Sequence, residues 1–140
     1  MPTLFERIIS GDLPCHKVYE DAHVFAFLDI NPFSPCHTLV VPKEPAPSLI
    51  DLSPDASAAV GRVLPRIARA VLAVSGATDF NVLQNNGERA YQSVFHVHFH
   101  VIPMMEDGRG LTWPFRPSPL DATTGAEQAA ALRRALEQTH

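Results

Sequence analysis

The sequence is poor in the features that mark several large protein classes. It has 2 cysteines in 140 residues, and these lack the two-residue spacing of redox and zinc motifs. It contains no run of about 18 apolar residues that could span a bilayer, and its first residues lack the pattern of a signal peptide. A formal net charge of −4 provides no basic footprint for nucleic acid. We therefore expect a cytoplasmic protein that binds neither membranes nor nucleic acids.

The composition supports one folded domain with a distinct C-terminal segment. Hydrophobic residues make up 46% of the chain, which is enough for a core without a disulfide scaffold. We expect residues 1–103 to form the core of the domain. Residues 104–140 are first rich in Gly and Pro and then rich in Ala. They predict an extended tail and a helix that packs on the same domain.

Three helices are predicted from their capping signals. Thr3 and Glu6 stand at capping-box spacing, and so do Thr124 and Glu127. A Ser-Pro pair starts the longest helix, which Pro65 should kink or split. The predicted helices cover residues 3–9, 53–74 and 124 to about 138.

Five strands are predicted between these helices. The first two are separated by Asp21-Ala22 and indicate a hairpin. The other strands can also be joined by short turns, so we expect an α+β fold with a mainly antiparallel sheet. The predicted strands cover residues 16–20, 24–28, 37–42, 80–83 and 95–102.

Three of the seven histidines fall within five residues, as His96, His98 and His100. Side chains alternate faces in a strand, so all three imidazoles should share one face. One interpretation is a solvated strand face, and a second is a metal site to which His37 adds a ligand. A third is nucleophilic catalysis, because neutral imidazole can attack phosphorus and give a labile phosphoramidate.

A wider set of residues gives a family resemblance. The segment His96-Val97-His98-Phe99-His100-Val101-Ile102 resembles the signature of the histidine-triad (HIT) family. Residues 28–32 and 35–43 resemble the second block of that family. Residues 85–87 and 92–94 resemble its phosphate-contacting loop. These blocks lie within residues 3 to about 103, and their spacing is most similar to the prokaryotic Hint-like branch, the nucleoside phosphoramidases.

The resemblance implies a role for each matching residue. His98 would be the nucleophile that carries a transient nucleotidyl group, and Asp29 would accept hydrogen bonds from the ribose hydroxyls. His37 and His96 would orient the triad. The phosphate would be contacted by His100, Ser93, Gln92 and Asn85, and the apolar slot for the base would be formed by Leu4, Phe5, Ile8, Phe27 and Ile30. The resemblance also implies a homodimer.

The sequence departs from the family at two places. Many prokaryotic relatives hold zinc with two cysteines and a histidine, but Thr3, Glu6 and Pro45 stand at those positions here. We therefore expect no metal and no other cofactor. Relatives commonly have a glycine immediately before Gln92, where this chain has Tyr91. If that glycine has a positive φ, Tyr91 must accept strain or the loop must move, and Tyr91 could instead cover the phosphate or the leaving group.

The leading hypothesis is an enzyme that cleaves a P–N or P–O–P bond in conjugates of a purine nucleoside 5′-monophosphate, AMP or GMP. One alternative is a dinucleoside polyphosphate hydrolase of the Fhit type, because the histidine signature serves both branches equally. A uridylyltransferase is disfavoured, since His100 is present where that branch has Gln. The other alternative is a nucleotide-binding regulator of low turnover, which could use Trp113-Pro114-Phe115 to dock a partner.

Overall fold

A computed structural model of the chain describes residues 1–139 and has the α+β architecture that the sequence predicts. Five strands form one antiparallel sheet in the order β1-β2-β3-β5-β4. The strands are β1 (Lys17–Glu20), β2 (Val24–Leu28), β3 (Thr38–Pro42), β4 (Asp79–Leu83) and β5 (Phe99–Met104). The helices are α1 (Leu4–Ile9), α2 (Pro54–Ser75) and α3 (Ala122–Glu137), with short 3-10 turns at Leu49–Asp51 and Glu88–Ala90. No helix among residues 1–139 is long and apolar enough to cross a membrane.

The central strands β2 and β3 are buried on both faces of the sheet. Val24, Ala26 and Val40 belong to the core cluster that contains the apolar side of α2. The residues between them point the other way, because side chains alternate along a strand. That second face packs against α1, in a cluster formed by Phe5, Phe25, Phe27, Leu39 and Val41. The sheet therefore separates a long-helix side from an α1 side.

Both predicted N-termini of the first two helices are confirmed. Thr3 and Glu6 form a reciprocal capping box with two bonds of 3.2 Å, and Ser53 caps α2. Pro65 does not split α2, which is one helix of 22 residues, and the kink predicted as the alternative stays a prediction. Pro65 lies on the exposed side, where water can bind the carbonyl that loses its N–H partner.

The predicted last strand begins too early. The structure has bends at residues 94–96, and the strand starts at Phe99. Pairing with β3 stops at Val40 and Phe99. Two residues further along β3 stands Pro42, which has no N–H to donate, and its carbonyl binds the imidazole of His96. Of the three histidines in the signature, only His100 lies in a regular strand.

The C-terminal segment differs from its prediction in two ways. The third helix begins at Ala122, because the carboxylate of Asp121 caps it and accepts the Thr124 N–H at 3.0 Å. The predicted capping box of Thr124 and Glu127 is therefore wrong. Among the described residues, α3 has no buried side chain, so the structure does not give the packing that we predicted for this helix. The division of the chain at residue 103 stays a prediction.

Candidate active site

His98 is held in one tautomer by the backbone. Its Nδ1 lies 2.7 Å from the carbonyl oxygen of His96, and a carbonyl can only accept, so Nδ1 carries the proton. In the neutral ring Nε2 then has a free lone pair. Burial lowers the pKa of His98 below its ordinary value, which keeps the ring neutral. The ring of Phe5 meets it edge to face at 4.9 Å between centroids and fixes its orientation.

His100 is oriented through a second chain of hydrogen bonds. The backbone N–H of Phe33 donates to His37 Nδ1 at 3.1 Å, so the proton of neutral His37 lies on Nε2. That nitrogen lies 2.9 Å from His100 Nδ1, which must accept. The remaining proton of His100 is therefore on Nε2. Burial, together with repulsion from His98 and His37, lowers the pKa of His100 to about 4, and burial also lowers the pKa of His37.

His96 has a different environment from the other two histidines of the signature. Its Nε2 donates to the carbonyl of Pro42 at 2.7 Å, and within residues 1–139 its buried Nδ1 has no hydrogen-bond partner. The side chain is 1% exposed. It ties the segment before β5 to the end of β3 and thereby places the carbonyl that orients His98. The three imidazoles therefore have different environments, with a free Nε2 lone pair on His98, a free Nε2–H on His100 and a buried supporting ring at His96.

Asp29 follows β2 and caps a turn with one of its two oxygens. Oδ1 accepts the Asn31 N–H at 2.8 Å. Oδ2 lies 3.6 Å from His37 Nε2 and 4.0 Å from His100 Nδ1, which is too far for a direct hydrogen bond. The structural and the functional interpretation of this residue are therefore compatible, because one carboxylate oxygen stays free to accept from a ligand.

Two cavities meet at His98 and His100. The first, which we call the α1 cavity, has a volume of about 340 Å³. It brings together nine of the predicted residues: Leu4, Phe5, Ile8, Phe27, Asp29, Ile30, Ser93, His98 and His100. Sequence reasoning missed Leu13, Pro14, Cys15, Leu28, Asn31, Leu39 and Val94. For Leu39, the alternation of side chains in β3 was the available signal, because it shares a face with Val41 beside α1.

The second cavity, which we call the tail cavity, also borders the two histidines and has a volume of about 530 Å³. It shares Asp29, Asn31, Ser93, His98 and His100 with the first cavity and adds the predicted residues Asn85 and Tyr91. Sequence reasoning missed Phe33, Leu83, Leu111, Thr112, Pro114 and Phe115. No local signal ties the residues after 110 to this site, because only the tertiary course of the tail brings them there.

Gln92 lines neither cavity, unlike the other residues predicted to contact phosphate. Its side-chain oxygen accepts the Gly87 N–H at 2.7 Å. Its amide donates to the carbonyls of Pro47 and Val94 at 2.6 and 3.0 Å. These bonds use both amide hydrogens, so Gln92 fixes the shape of the loop that carries Tyr91 and Ser93.

The residues at the zinc positions of the relatives do not fit a metal. Thr3 and Glu6 are engaged with each other in the capping box, and Pro45 has no side-chain donor atom. Asp29, His37 and His100 place ligand atoms within 4.8 Å of one another. However, the facing nitrogens of the two imidazoles already share a hydrogen bond, so we derive no metal chemistry from this group.

A larger cleft of about 640 Å³ lies away from the triad, at the start of α2. It is lined by groups of both charge signs, including Lys43, Arg62 and Asp55, and Glu44 is occupied in holding Ser53. Its mixed charge favours no one class of ligand. The two cavities at His98, although smaller, are where the oriented imidazoles converge.

The comparisons with known proteins agree with this geometry. A family model described as HIT domain matches residues 10–107. Adenosine 5′-monophosphoramidase hnt1 of Schizosaccharomyces pombe is 43% identical over 119 residues, which cover 84% of this chain and 86% of that protein. Protein hit of Bacillus subtilis is 44% identical over 112 residues, covering 79% and 77% of the two chains. A crystal structure of a HIT family member from Bacillus subtilis superposes with a TM-score of 0.91 at 34% identity, covering 96% of each chain. The chain belongs to the HIT domain family.

Proposed function

We propose that this protein is a hydrolase of nucleoside 5′-monophosphate conjugates, with AMP phosphoramidates as the leading substrate class. The observation that carries the proposal is the free lone pair of His98 Nε2, fixed by the 2.7 Å bond from Nδ1 to the His96 carbonyl. A buried, neutral and oriented imidazole is suited to attack phosphorus. The Schizosaccharomyces pombe relative is named an adenosine 5′-monophosphoramidase, which supports the same chemistry.

The reaction would proceed in two displacements at phosphorus. The lone pair of His98 Nε2 forms a bond to phosphorus, and the P–N bond of the substrate breaks. The leaving amine takes up a proton from solvent. Water then attacks phosphorus, and the bond to Nε2 breaks and returns the electron pair to the ring. One hydrogen of water stays on the oxygen that is now bonded to phosphorus, and the other passes to solvent as a proton. The products are the nucleoside monophosphate and the free amine.

The other site residues would bind and orient the substrate. The N–H at His100 Nε2 and the hydroxyl of Ser93 would donate to the non-bridging oxygens, and Asn85 would add a side-chain donor. Asp29 Oδ2 would accept from the ribose, since its partner oxygen already holds the turn. The apolar α1 cavity would receive the base. Its generic apolar lining fits a purine and does not separate AMP from GMP conjugates.

The homodimer implied by the family also remains a proposal. The leucines Leu132 and Leu136 are more than 60% exposed on α3. A helix of this kind is stabilised when a second surface covers its apolar side. Light scattering at two protein concentrations would measure the mass of the assembly, and a monomer at both concentrations would contradict the dimer.

Intact-protein mass spectrometry tests the covalent step directly. Wild type and His98→Ala are mixed with an adenosine 5′-phosphoramidate ester and quenched rapidly without acid. We expect an adduct of the mass of AMP in wild type only, together with a loss of turnover in His98→Ala of about a thousandfold or more. His23→Ala, which removes an exposed imidazole outside the site, is the matched control and should keep both.

Three outcomes would contradict parts of this proposal. Turnover that survives in His98→Ala would overturn nucleophilic catalysis. Binding of AMP without turnover in wild type would favour the low-turnover regulator. A kcat/KM that is higher for a dinucleoside polyphosphate than for the phosphoramidate would favour the Fhit-type alternative.

A further inference from the structure

A cleft on the α2 side of the sheet has no role in the proposed function. It lies between the β1–β2 hairpin and α2 and has a volume of about 450 Å³, and we call it the hairpin cleft. Among residues 1–139 it shares no lining residue with the two cavities at His98. We propose that the hairpin cleft is a second binding site, separate from the triad, and that it holds the phosphate group of a compact phosphate monoester between Arg62 and Arg66.

Charge is distributed unevenly along the chain. The whole protein is acidic, with 15 Asp and Glu residues against 11 Lys and Arg residues. Residues 56–78, which include most of α2, nevertheless contain three arginines and no acidic residue. These arginines, Arg62, Arg66 and Arg69, stand four and three residues apart, so they share one side of the helix. Like charges at these spacings repel each other, and a bound anion would relieve that repulsion.

The two arginines of the cleft are not neutralised by the protein itself. Lys17 and Lys43 both pair with Glu20, at 3.1 and 2.7 Å. In the part of the chain that the structure describes, no carboxylate oxygen lies within 4.0 Å of a nitrogen of Arg62 or Arg66. Both side chains are exposed, so their N–H groups are open to a ligand.

Arg66 is held in place by the hairpin. Its guanidinium carbon lies 5.3 Å from the centre of the Tyr19 ring, within the range of a cation–π contact. The hydroxyl of Tyr19 donates to Asp21 Oδ2 at 2.7 Å. The other oxygen of Asp21 accepts the backbone N–H groups of His23 and Val24 at 2.7 and 2.8 Å. A stacked guanidinium keeps its N–H groups at the edge of its plane, where they can reach an anion.

The charge and spacing of the lining favour a dianion. Asp21 is the one carboxylate among the described residues that line the cleft, and both of its oxygens are engaged by the hairpin. Two guanidiniums therefore face one carboxylate, which leaves a positive charge in excess. Arg62 and Arg66 are one helical turn apart, about 6 Å along the axis. A tetrahedral phosphate can accept from both, and Arg binds phosphate through paired N–H bonds.

The surroundings of the cleft favour a compact anion over a nucleic acid strand or an anionic membrane. The larger cleft at the start of α2 also borders Arg62 and contains Asp55 and Glu44, which would repel a polyanion that extended past Arg62. Arg69 does not line the hairpin cleft. An extended polyanion would use Arg69, whereas a phosphate between Arg62 and Arg66 would not. Arg69 is therefore the matched control.

A titration followed by nuclear magnetic resonance tests the site residue by residue. Isotope-labelled protein at pH 7.5 and constant ionic strength receives methyl phosphate, a small monoester that is mainly a dianion at this pH. We expect the side-chain Nε–H signals of Arg62 and Arg66 to shift along one saturable curve, while that of Arg69 moves little. Methyl sulfate has the same shape and a single negative charge, and we expect it to bind about tenfold more weakly.

Variants of the three arginines then assign the binding. Arg62→Gln and Arg66→Gln each remove one guanidinium, and we expect the dissociation constant of methyl phosphate to rise about tenfold or more in both. Arg69→Gln should leave it unchanged. His98→Ala should also leave it unchanged, so failure of this inference and failure of the proposed function are distinguishable. The backbone amide spectrum of each variant shows whether it is folded.

Three results would overturn the second site. Shifts that increase linearly with methyl phosphate and are matched by methyl sulfate would show ionic screening only. Shifts confined to the signals of His98 and His100 would place the phosphate at the triad alone. Tighter binding of an oligodeoxythymidine strand or of phosphatidylglycerol vesicles, weakened as much by Arg69→Gln as by Arg66→Gln, would show an extended anion-binding surface in place of a compact site.

Discussion

The two cavities beside His98 are built in different ways. The α1 cavity includes buried residues of the sheet and the first helix in its wall, such as Phe5, Phe27 and Leu39, each 5% exposed or less. The tail cavity is walled by loops and by half-exposed rings such as Phe33 and Phe115. A wall that is also core cannot vary without loss of stability, whereas a loop wall can. The difference indicates one cavity whose wall is tied to the core and one whose wall can vary.

The largest expected effect comes from a substitution in the wall of the α1 cavity. Phe5 packs against Phe27 and His98 at 5.4 and 4.9 Å between ring centroids, so Phe5→Ala leaves a cavity in the core. We expect the free energy of unfolding to fall by about 3–5 kcal/mol. Phe115→Ala removes a ring of the same size from the wall of the tail cavity, where it is half exposed. We expect the free energy of unfolding to fall by about 0.5 kcal/mol or less. Urea unfolding of both variants measures the contrast, and equal losses would contradict it.

The next effect concerns ligand binding at the junction of the two cavities. Asp29→Asn keeps the oxygen that caps the turn to Asn31 but replaces the free carboxylate oxygen with a weaker partner for the ribose. We expect kcat/KM to fall by about ten- to a hundredfold, the range of one hydrogen bond to a charged group. Its unfolding free energy should change little, which separates binding from folding. Asp12→Asn, an exposed change outside both cavities, is the kinetic control, and an equal loss in it would remove the role of Asp29.

A moderate effect is expected from pH, through the buried imidazoles between the cavities. Burial lowers the pKa of His100 to about 4 in the folded protein, while in the unfolded chain it returns to about 6.5. Below pH 6.5 the unfolded state therefore binds one proton more at this residue than the folded state does. The contribution of His100 to the free energy of unfolding is complete above pH 6.5 and declines as pH falls toward about 4. His100→Gln should lower proton uptake on unfolding in this window by about one proton. Urea titrations at pH 7, 6, 5 and 4.5 give the slope of the unfolding free energy against pH for each protein. Identical slopes in wild type and His100→Gln would contradict the assignment of this pH dependence to His100.

The smallest effect sharpens the description of the tail wall. Tyr91→Gly relieves a side chain held at φ 69°, and we expect the free energy of unfolding to rise by about 0.5–1 kcal/mol. The reverse change at Gly76, which ends α2 at φ 78° with open space around it, should destabilise by a similar amount in Gly76→Ala. A Tyr91→Gly variant less stable than wild type would show that the ring supports the fold rather than the ligand.

The local structure of the core was predictable because its signals lie close together in the chain. The Thr3–Glu6 capping box, the Ser53 cap and the hairpin at Asp21 each depend on groups three or fewer residues apart. The family resemblance also identified nine of the residues that line the α1 cavity, and it missed the others, such as Leu28 and Leu39. The error at the start of β5 arose where the surroundings decided the outcome, through the missing N–H of Pro42. The exposed helix face likewise allows Pro65 to lie within one helix.

By itself the sequence determined the strands of the sheet and the first two helices, because alternation and capping are short-range properties, and its resemblance to the HIT family pointed to His98 and His100. Only the tertiary structure decided which nitrogen of each imidazole is free. Those protons are set by the carbonyl of His96 beside His98 and by the N–H of Phe33, which acts on His100 through His37. It alone also decided that two unlike cavities border His98 and His100, since Phe115 lines the tail cavity only through the path of the tail. Tautomers and cavities depend on groups distant in the chain, and no local pattern records their approach.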